Sequence, residues 1–538
     1  MDVEAPVISR PILASNVPVE MPAIPDRIRD FVAVDLPARI LHVERRILGD
    51  PHLMTWVSRC EGAGLRLTMK PADMDELARL REKESQAVRP GDEDLHNRLA
   101  ALELVRRAAE LRASDIHLLM PATHAEIQVR IKGDLKVLDR LTYAEGEALA
   151  RSLYQSIATA RDASYNPLEL QNAQISGREL ADTGLTSVRI VRGPAFPVEE
   201  NGSFMILRLQ YASTAAARGT TRSAGGLVRV ALVAPRRPEG ELRLREMGFT
   251  PKQEKAMRLM AEAPNGVVIL TGPTGSGKTS TIFECMSHLA REYPGRRQIS
   301  IEDPVEYPMP WAIQLEVTNA TTETETGLAF AHRLRAALRM DPDIIMSGEV
   351  RGADVGVATI NAALTGHLVY TTLHVTDPFL AIDRLEMMDR ERLHRQMICD
   401  HTIIRGLVAQ RLVPRLCDAC AVDLAKDRSR LPPEIYEALE TYGDLSKVRV
   451  RGEGCKNCGG DAISGRVAVA EVVVTTPELM RDFVDNGTEA ARRNHRRRKG
   501  ADGSLLENVV DRVLAGLIDP NDIGRFVDRL VPRESQPA

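Results

Sequence analysis

The sequence has few aromatic residues, little cysteine, no excess of basic charge and no long apolar run. Aromatic side chains make up 4% of the 538 residues, so the core must be mainly aliphatic and few rings are available to stack on nucleic-acid bases. The formal net charge of −4 gives no overall electrostatic reason to expect DNA or RNA as the main partner. No direct nucleic-acid binding is therefore expected.

Signals for membrane insertion and export are also missing. No stretch of about 18 or more residues is uniformly apolar. The opening residues, MDVEAPVISRPILASN, carry acids where an export signal needs basic residues, and no apolar segment follows them. We expect a cytoplasmic protein, in which a reducing environment disfavours disulfides between the seven cysteines.

The chain is too long for a single core, and its patterns change along its length. Residues 1–95 contain short mixed segments and no motif with identifiable chemistry, and they end in a linker-like segment, KESQAVRPGDEDLHN. Residues 96–211 predict a compact α+β unit, and residues 212–239 have the small, polar composition of a flexible linker. Residues 240–538 alternate short apolar strands with helical runs. This pattern indicates an α/β domain with a parallel sheet, helices on both faces and a helical C-terminal region.

A glycine-rich turn follows the apolar strand candidate Val267–Leu270. Gly272 to Thr279 fits the pattern G-x-x-x-x-G-K-[ST], which is typical of phosphate-binding loops. Glycines let successive N–H groups point at phosphate oxygens, Lys278 can reach the β- and γ-phosphates, and the Thr279 hydroxyl can ligate Mg²⁺. A chance turn is the alternative, but the flanking strand and helix favour nucleotide binding. The predicted nucleotide-binding residues are Gly272, Pro273, Thr274, Gly275, Ser276, Gly277, Lys278, Thr279 and Ser280.

Three later segments place polar groups at the ends of predicted strands, where an open α/β sheet binds its ligand. They read IEDPVE (301–306), LRMDPDIIMSGE (338–349) and TGHLVYTTLH (365–374). A carboxylate near the γ-phosphate can orient the attacking water, and a carboxylate near Mg²⁺ can hold the ion through its hydration shell. Alternatively, the acids cap the following helices and each histidine is a satisfied loop residue.

Taken together and in this order, TGPTGSGKTST, IEDPVEY, LRMDPDIIMSGEVR and TGHLVYTTLH resemble the Walker A, Asp box, Walker B and His box of the type II secretion and type IV pilus assembly ATPases. The resemblance implies a RecA-like P-loop NTPase domain, preceded by a PAS-like α+β module and assembled into a hexameric ring. ATP and Mg²⁺ are the implied ligands. The implied catalytic residues are Glu349 of Walker B, Glu302 and Glu306 of the Asp box, and His367 and His374 of the His box.

The resemblance also implies arginines that the α+β module lends to the nucleotide. ASDIH (113–117) matches the opening of that module, and Arg189 and Arg208 match its two nucleotide-facing arginines. Arg130 and Lys132 lie where the family usually has Arg-x-Arg, and lysine lacks the planar fork of donors that arginine offers. The alternative for these cations is a solvated strand face.

Four cysteines occur as two C-x-x-C pairs, Cys417 with Cys420 and Cys455 with Cys458. Two thiolate pairs can close a tetrahedral Zn²⁺ site, and a four-sulfur shell leaves no open position for catalysis. The pairs lie further apart than the roughly 15–20 residues of a zinc ribbon, so a lobe (415–460) must fold out and return. Four unrelated reduced thiols are the alternative. The resemblance implies the tetracysteine motif of extension and secretion ATPases, with a structural role.

These features predict a cytoplasmic motor ATPase that powers pilus or pseudopilus assembly from the inner membrane. The resemblance implies a platform protein and its cytoplasmic adaptor as partners, peripheral membrane contact, and a partner-choosing role for residues 1–95. The basic run RRNHRRRK (492–499) is a solvated helix face or a contact for anionic lipid or the platform protein. A nucleic-acid translocase and a nucleotide-binding scaffold without turnover are the alternative functions.

Overall fold

The structure, a computed structural model, describes residues 25, 28, 31–35, 39–62, 65–74, 76–77, 90–212, 232–317 and 322–533. Residues 213–231, which make up most of the predicted linker, lie outside the described residues, as do residues 1–24. None of the helices within the described ranges has the length and apolar composition that crossing a bilayer requires.

A small sheet and one helix form the first unit within the described part of residues 25–77. Their bounds are β1 (Val32–Asp35), β2 (Ile40–Glu44), α1 (Pro51–Gly62) and β3 (Thr68–Ala72). Strand β2 pairs with β1 in antiparallel and with β3 in parallel orientation. The buried Trp56 ring packs with Leu41 and Leu53, so this unit has its own hydrophobic core.

The second unit is an antiparallel sheet covered on one face by helices. In the described residues the strand order is β6-β5-β4-β10-β9-β8-β7. The bounds are α2 (Pro90–Glu110), β4 (Asp115–Met120), β5 (His124–Ile131), β6 (Asp134–Thr142), α3 (Tyr143–Arg151), β7 (Ala160–Arg161), β8 (Gln171–Ser176), β9 (Leu185–Pro194) and β10 (Ser203–Tyr211).

Helix α2 corrects one detail of the sequence analysis. It begins at Pro90, inside the segment interpreted as a linker, and therefore crosses the predicted boundary at residue 95. Proline suits the first turn of a helix because its missing N–H needs no partner there.

The largest unit is built on a mixed sheet with the order β13-β12-β14-β15-β11-β16-β19 among the described strands. The strand bounds are β11 (Gly266–Thr271), β12 (Gln298–Glu302), β13 (Ala312–Glu316), β14 (Ile344–Ser347), β15 (Leu368–Leu373), β16 (Ile404–Leu416) and β19 (Ile463–Val474). The strands up to β16 are parallel, as predicted, whereas β19 is antiparallel to β16. The four strands that the sequence predicts correspond to β11, β12, β14 and β15 and are parallel, and the antiparallel β19 was not among them. It is antiparallel because the chain leaves β16 into a lobe and returns directly beside it.

Helices cover both faces of this sheet, in agreement with the predicted layers. Val268 and Leu270 of β11 pack with α5 and α6 on one face, and Val267 and Ile269 pack with α8 on the other. The helix bounds are α4 (Leu244–Met247), α5 (Pro251–Ala261), α6 (Lys278–Glu292), α7 (Glu323–Ala337), α8 (Ala353–Leu364), α9 (Leu380–Met388), α10 (Arg395–Ile398), α12 (Pro477–Asp485), α13 (Gly487–Arg496), α14 (Leu505–Leu514) and α15 (Ile523–Phe526). The lobe between β16 and β19 contains β17 (Val422–Asp423), α11 (Pro433–Glu440) and β18 (Arg449–Val450).

Candidate functional site

The glycine-rich loop joins the end of β11 to the start of α6. Gly272, Gly275 and Gly277 have φ angles of +144°, +75° and +83°, which L side chains rarely adopt. A Cβ atom on Gly272 would lie 2.5 Å from the carbonyl oxygen of Gln410 on β16. All three positions therefore need glycine for the backbone conformation, as the motif predicts, and Gly272 needs it for close packing as well.

Lys278 at the start of α6 is buried and hydrogen-bonds the loop around it. Its Nζ donates to the carbonyl oxygens of Gly272 (3.0 Å) and Pro273 (2.9 Å). Burial lowers the pKa of Lys278, the charge of Glu349 opposes this shift, and the charge of Arg411 adds to it. A buried cation whose direct partners are carbonyl oxygens is a fitting partner for phosphate oxygens.

Glu349 lies beyond the end of β14 and takes part in an ion-pair cluster at the same edge of the sheet. Its Oε1 accepts from the guanidinium of Arg351, and its Oε2 lies 3.1 Å from Nε2 of His374. Arg351 also reaches Asp303, with 3.3 Å between Nη1 and Oδ2. Ion pairs with both acids raise the pKa of Arg351, although its burial alone would lower it. The cluster joins the loops that follow β12, β14 and β15.

The predicted Asp-box acids do not join this cluster. Glu302 is buried, and its Oε1 accepts from Ser300 Oγ (2.5 Å) and Gln314 Nε2 (3.0 Å). Burial raises the pKa of Glu302. Glu306 is exposed. Asp303, which the sequence analysis did not select, occupies the position beside Arg351, and its place directly after the last residue of β12 was the available signal.

The two predicted histidines lie at opposite ends of β15. His374 follows the strand and contacts Glu349, whereas His367 precedes it and hydrogen-bonds the carbonyl oxygen of Ala362 through Nδ1 (2.9 Å). Since a strand advances about 3.3 Å per residue, the seven residue steps from His367 to His374 separate the two histidines by roughly 23 Å. The structure therefore brings only His374 to the edge where the P-loop lies.

Arg189 and Arg208 lie in a groove of about 400 Å³ that is also lined by Arg161 and Arg339. Arg208 forms ion pairs with Asp115 (2.8 Å) and with Asp341 (3.2 Å). Asp341 precedes β14, so this groove is at the amino ends of the parallel strands, opposite the P-loop of the same chain. The structure does not bring these arginines to that P-loop.

A buried polar network joins the α+β unit to the large sheet at this amino-terminal edge. Arg130 of β5 forms ion pairs with Asp341 and Asp343, the latter at 2.8 Å. His117 of β4 accepts from Arg297 through Nδ1 (3.2 Å) and contacts Asp341 through Nε2 (3.0 Å). Burial lowers the pKa of His117 to about 4, so the neutral ring donates from Nε2 to Asp341.

This network changes the interpretation of the Arg-x-Lys pair. Arg130 makes an interdomain contact, and Lys132 adopts a φ of +53° in the turn between β5 and β6. The sequence analysis missed the pairing of the SDIH and DPD segments because they are remote in the chain. Their polar residues next to strand candidates were the only local signal.

The four cysteines of the lobe lie together as predicted. Their Sγ atoms are all within 4.8 Å of one another, and three pairs are 3.7–3.8 Å apart. A tetrahedral Zn²⁺ with Zn–S bonds of about 2.3 Å separates its sulfurs by about 3.8 Å, so the donor set fits zinc. Backbone N–H groups, first that of Cys455, lower the pKa of Cys458 to about 6, whereas burial and the neighbouring thiols raise the pKa of Cys420 to about 12.

The basic run at the end of α13 is only partly solvated. Arg496 pairs with the buried Glu471 (2.8 Å) and with Asp377 (3.2 Å), and Arg492 also reaches Asp377 (3.3 Å). His495 is buried. The expected solvated helix face is therefore wrong for Arg492 and Arg496, because both pack against acids, Asp377 after β15 and Glu471 on β19.

Comparison with known proteins identifies the family. The family model described as Type II/IV secretion system protein matches residues 221–525, which is more than half of the chain. The chain belongs to the type II/IV secretion system protein family. The matched segment contains the P-loop, the Glu349 cluster and the four cysteines of the lobe.

Curated members of this family match with moderate identity. The type IV pilus assembly ATPase PilB of Thermus thermophilus is 36% identical over 276 residues, which cover 51% of this chain and 29% of that protein. The putative type II secretion system protein E of Escherichia coli is 31% identical over 301 residues, which cover 55% of this chain and 56% of that protein. The type II secretion system protein HxcR of Pseudomonas aeruginosa is 31% identical over 378 residues, which cover 70% of this chain and 66% of that protein. The chain thus spans less than two thirds of the length of these relatives.

Proposed function

We propose that this chain is a motor ATPase that powers assembly of a type IV pilus or of a type II secretion pseudopilus. The observation that carries the proposal is the convergence of the P-loop and the Glu349 cluster at the carboxyl ends of adjacent parallel strands, where an open α/β sheet binds its ligand. Membership of a family whose curated relatives are named pilus assembly ATPase and type II secretion protein E supports the same function.

The roles of the residues follow from their positions. The loop N–H groups and Lys278 would hold the ATP phosphates, and ATP binding would draw Lys278 Nζ away from its carbonyl partners. Glu349 would orient the attacking water, with His374 and Arg351 fixing its carboxylate. The half-buried Thr279 would hold Mg²⁺, which when bound neutralises charge on the β- and γ-phosphates.

Arg189 and Arg208 would act on a nucleotide only between chains. Their groove lies at the amino-terminal edge of the sheet, so a neighbouring copy of the chain must bring its P-loop to it. This requirement supports the hexameric ring, in which residues 96–211 take the part of the PAS-like module. His367, Glu302 and Glu306 remain proposed site residues, and they do not contact the Glu349 cluster in this structure.

The partners and the compartment are part of the proposal. We assign the chain to the cytoplasmic face of the inner membrane, in peripheral contact with a platform protein and its adaptor. Residues 1–95 would choose that partner, and residues 212–239 would link the module to the ATPase domain of residues 240–538. In the lobe of residues 415–460, the four cysteines would hold Zn²⁺ as a structural cross-link.

The experiment is steady-state ATP turnover by the purified chain in three conditions. The chain is assayed alone, with single-stranded DNA, and with acidic phospholipid vesicles plus the cytosolic part of a platform protein. Turnover stimulated by the vesicles and the platform fragment, and abolished in Lys278→Ala, supports the motor function. Stimulation by DNA alone would replace it with the translocase, and no turnover in any condition would leave the nucleotide-binding scaffold.

A further inference from the structure

Arg411 lies beside the P-loop, on the strand that supports it. Thr271 of β11 pairs in register with Ala409 of β16, so the residues after Ala409 run alongside the loop that follows Thr271. Gln410 Nε2 donates to the carbonyl oxygen of Ser276 (2.9 Å). A Cβ atom on Gly272 would lie 3.1 Å from Arg411 Nη1, which shows how close the guanidinium is to the start of the P-loop.

The guanidinium of Arg411 is buried and hydrogen-bonds backbone carbonyl groups. Nη1 donates to Gln410 O and Nη2 donates to Thr376 O, both at 2.9 Å. Within the described residues it forms no ion pair, and the nearby Asp377 already accepts from Arg492 and Arg496. Burial lowers the pKa of Arg411, and its charge acts on Lys278. Two buried cations without a direct carboxylate partner therefore lie at one loop.

The bond to Thr376 gives Arg411 a second connection. Thr376 lies two residues after His374, whose imidazole contacts Glu349. The Arg411 side chain thus connects two segments, the backbone of β16 beside the P-loop and the loop that carries His374. The planar, rigid fork of arginine can hold two carbonyl groups in fixed relative positions, whereas a lysine ammonium keeps the charge without that geometry.

We propose that Arg411 is a positioning residue of the ATP site: it fixes the His374 loop against the P-loop and supplies a buried positive charge behind the phosphates. This inference rests on the proposed ATPase function. Arg411 would make two separate contributions. Its charge favours nucleotide binding, and its fork fixes the positions of His374 and Glu349 relative to the bound phosphates.

The test uses Arg411→Lys and Arg411→Met, with Arg405→Lys and Arg405→Met as controls. Arg405 lies on the same strand at its opposite end, where it also bonds backbone and amide oxygens, those of Asn265 (2.9 and 3.2 Å). Each protein is assayed for the affinity of a fluorescent ADP analogue, for kcat and KM with ATP, and for Tm. The Arg405 variants measure how affinity, kcat and Tm change when an arginine is replaced on the same strand but far from the P-loop.

The proposal predicts a split between binding and turnover. Arg411→Lys should keep the nucleotide affinity within about twofold while kcat falls about tenfold, because the charge stays and the fork is lost. Arg411→Met should lose about tenfold in both, because the buried charge and the fork are lost together. Wild-type affinity and kcat in both Arg411 variants, or a fall in affinity and kcat together in Arg411→Lys, would overturn it.

If Arg411→Met does not fold, the split in Arg411→Lys decides the question alone. If the wild-type chain itself hydrolyses no ATP, the proposed function fails rather than the role of Arg411, and the affinity of the ADP analogue then tests the charge contribution.

Discussion

Replacing Arg130 by methionine tests whether the α+β unit and the large domain are joined by the buried network. Arg130 has 8% of its side chain exposed and pairs with Asp341 and Asp343. Removing one partner of a buried ion pair costs about 3–5 kcal/mol, because the other charge stays buried without a partner. Asp341 retains its contacts with His117 and Arg208, so we expect the lower end, about 3 kcal/mol.

Arg140→Met is the matched control from the neighbouring strand. Arg140 is 60% exposed and forms one ion pair, with Glu126 at 2.8 Å, which should be worth at most about 1 kcal/mol. Both variants are compared with the wild type by calorimetric unfolding. With an unfolding entropy of about 2.1 cal/mol/K per residue over 538 residues, each kcal/mol shifts Tm by about 1 °C. Arg130→Met should therefore lower Tm by about 3 °C and Arg140→Met by less than about 1 °C. Equal Tm values for the two variants would refute the interdomain role of Arg130.

Three further predictions concern the cluster, the thiols and the network. Glu349→Gln should lower kcat for ATP at least about 100-fold with nucleotide affinity retained, whereas Glu437→Gln on the exposed face of α11 should leave kcat unchanged. Equal rates in the two variants would remove Glu349 from the water-positioning role. Cys455→Ser should lose the bound zinc that elemental analysis of the purified chain detects, whereas the control Cys399→Ser, outside the four-cysteine group, should keep it. Equal zinc content in the two variants would contradict the four-thiolate site. Because burial depresses the pKa of His117 from 6.5 to about 4, its stabilising contribution is complete above pH 6.5 and is lost as pH falls towards 4, by about 1.4 kcal/mol per pH unit. Urea unfolding should show a shallower pH dependence for His117→Gln between pH 7 and pH 5, and identical slopes would exclude this assignment.

The features that could be predicted from the sequence are those whose chemistry is local. The P-loop needs glycine at particular dihedral angles, so its residues and its geometry follow from one contiguous motif. The four thiols were also predictable, because spaced C-x-x-C pairs in a reducing environment have few other uses. The separation of His367 from His374 was open to prediction as well, since a run of six apolar and hydroxyl residues lies between them and forms β15.

The features that could not be predicted depend on contacts between distant segments. The partner of Arg130 is more than 200 positions away, and no periodicity indicates that β5 meets the start of β14. The direction of β19 depends on how the cysteine lobe returns to the sheet. Asp303 and Arg351 join Glu349 only because the parallel order of β12, β14 and β15 brings their following loops together.

The central claim is that ATP is bound and hydrolysed at the loop that contains Lys278. The most direct measurement is phosphate release from ATP by the purified chain, compared with Lys278→Ala and with Lys255→Ala, a control on the exposed face of α5. We expect turnover in the wild type and in Lys255→Ala, and its loss in Lys278→Ala together with weaker ADP binding. Undiminished turnover in Lys278→Ala would contradict it.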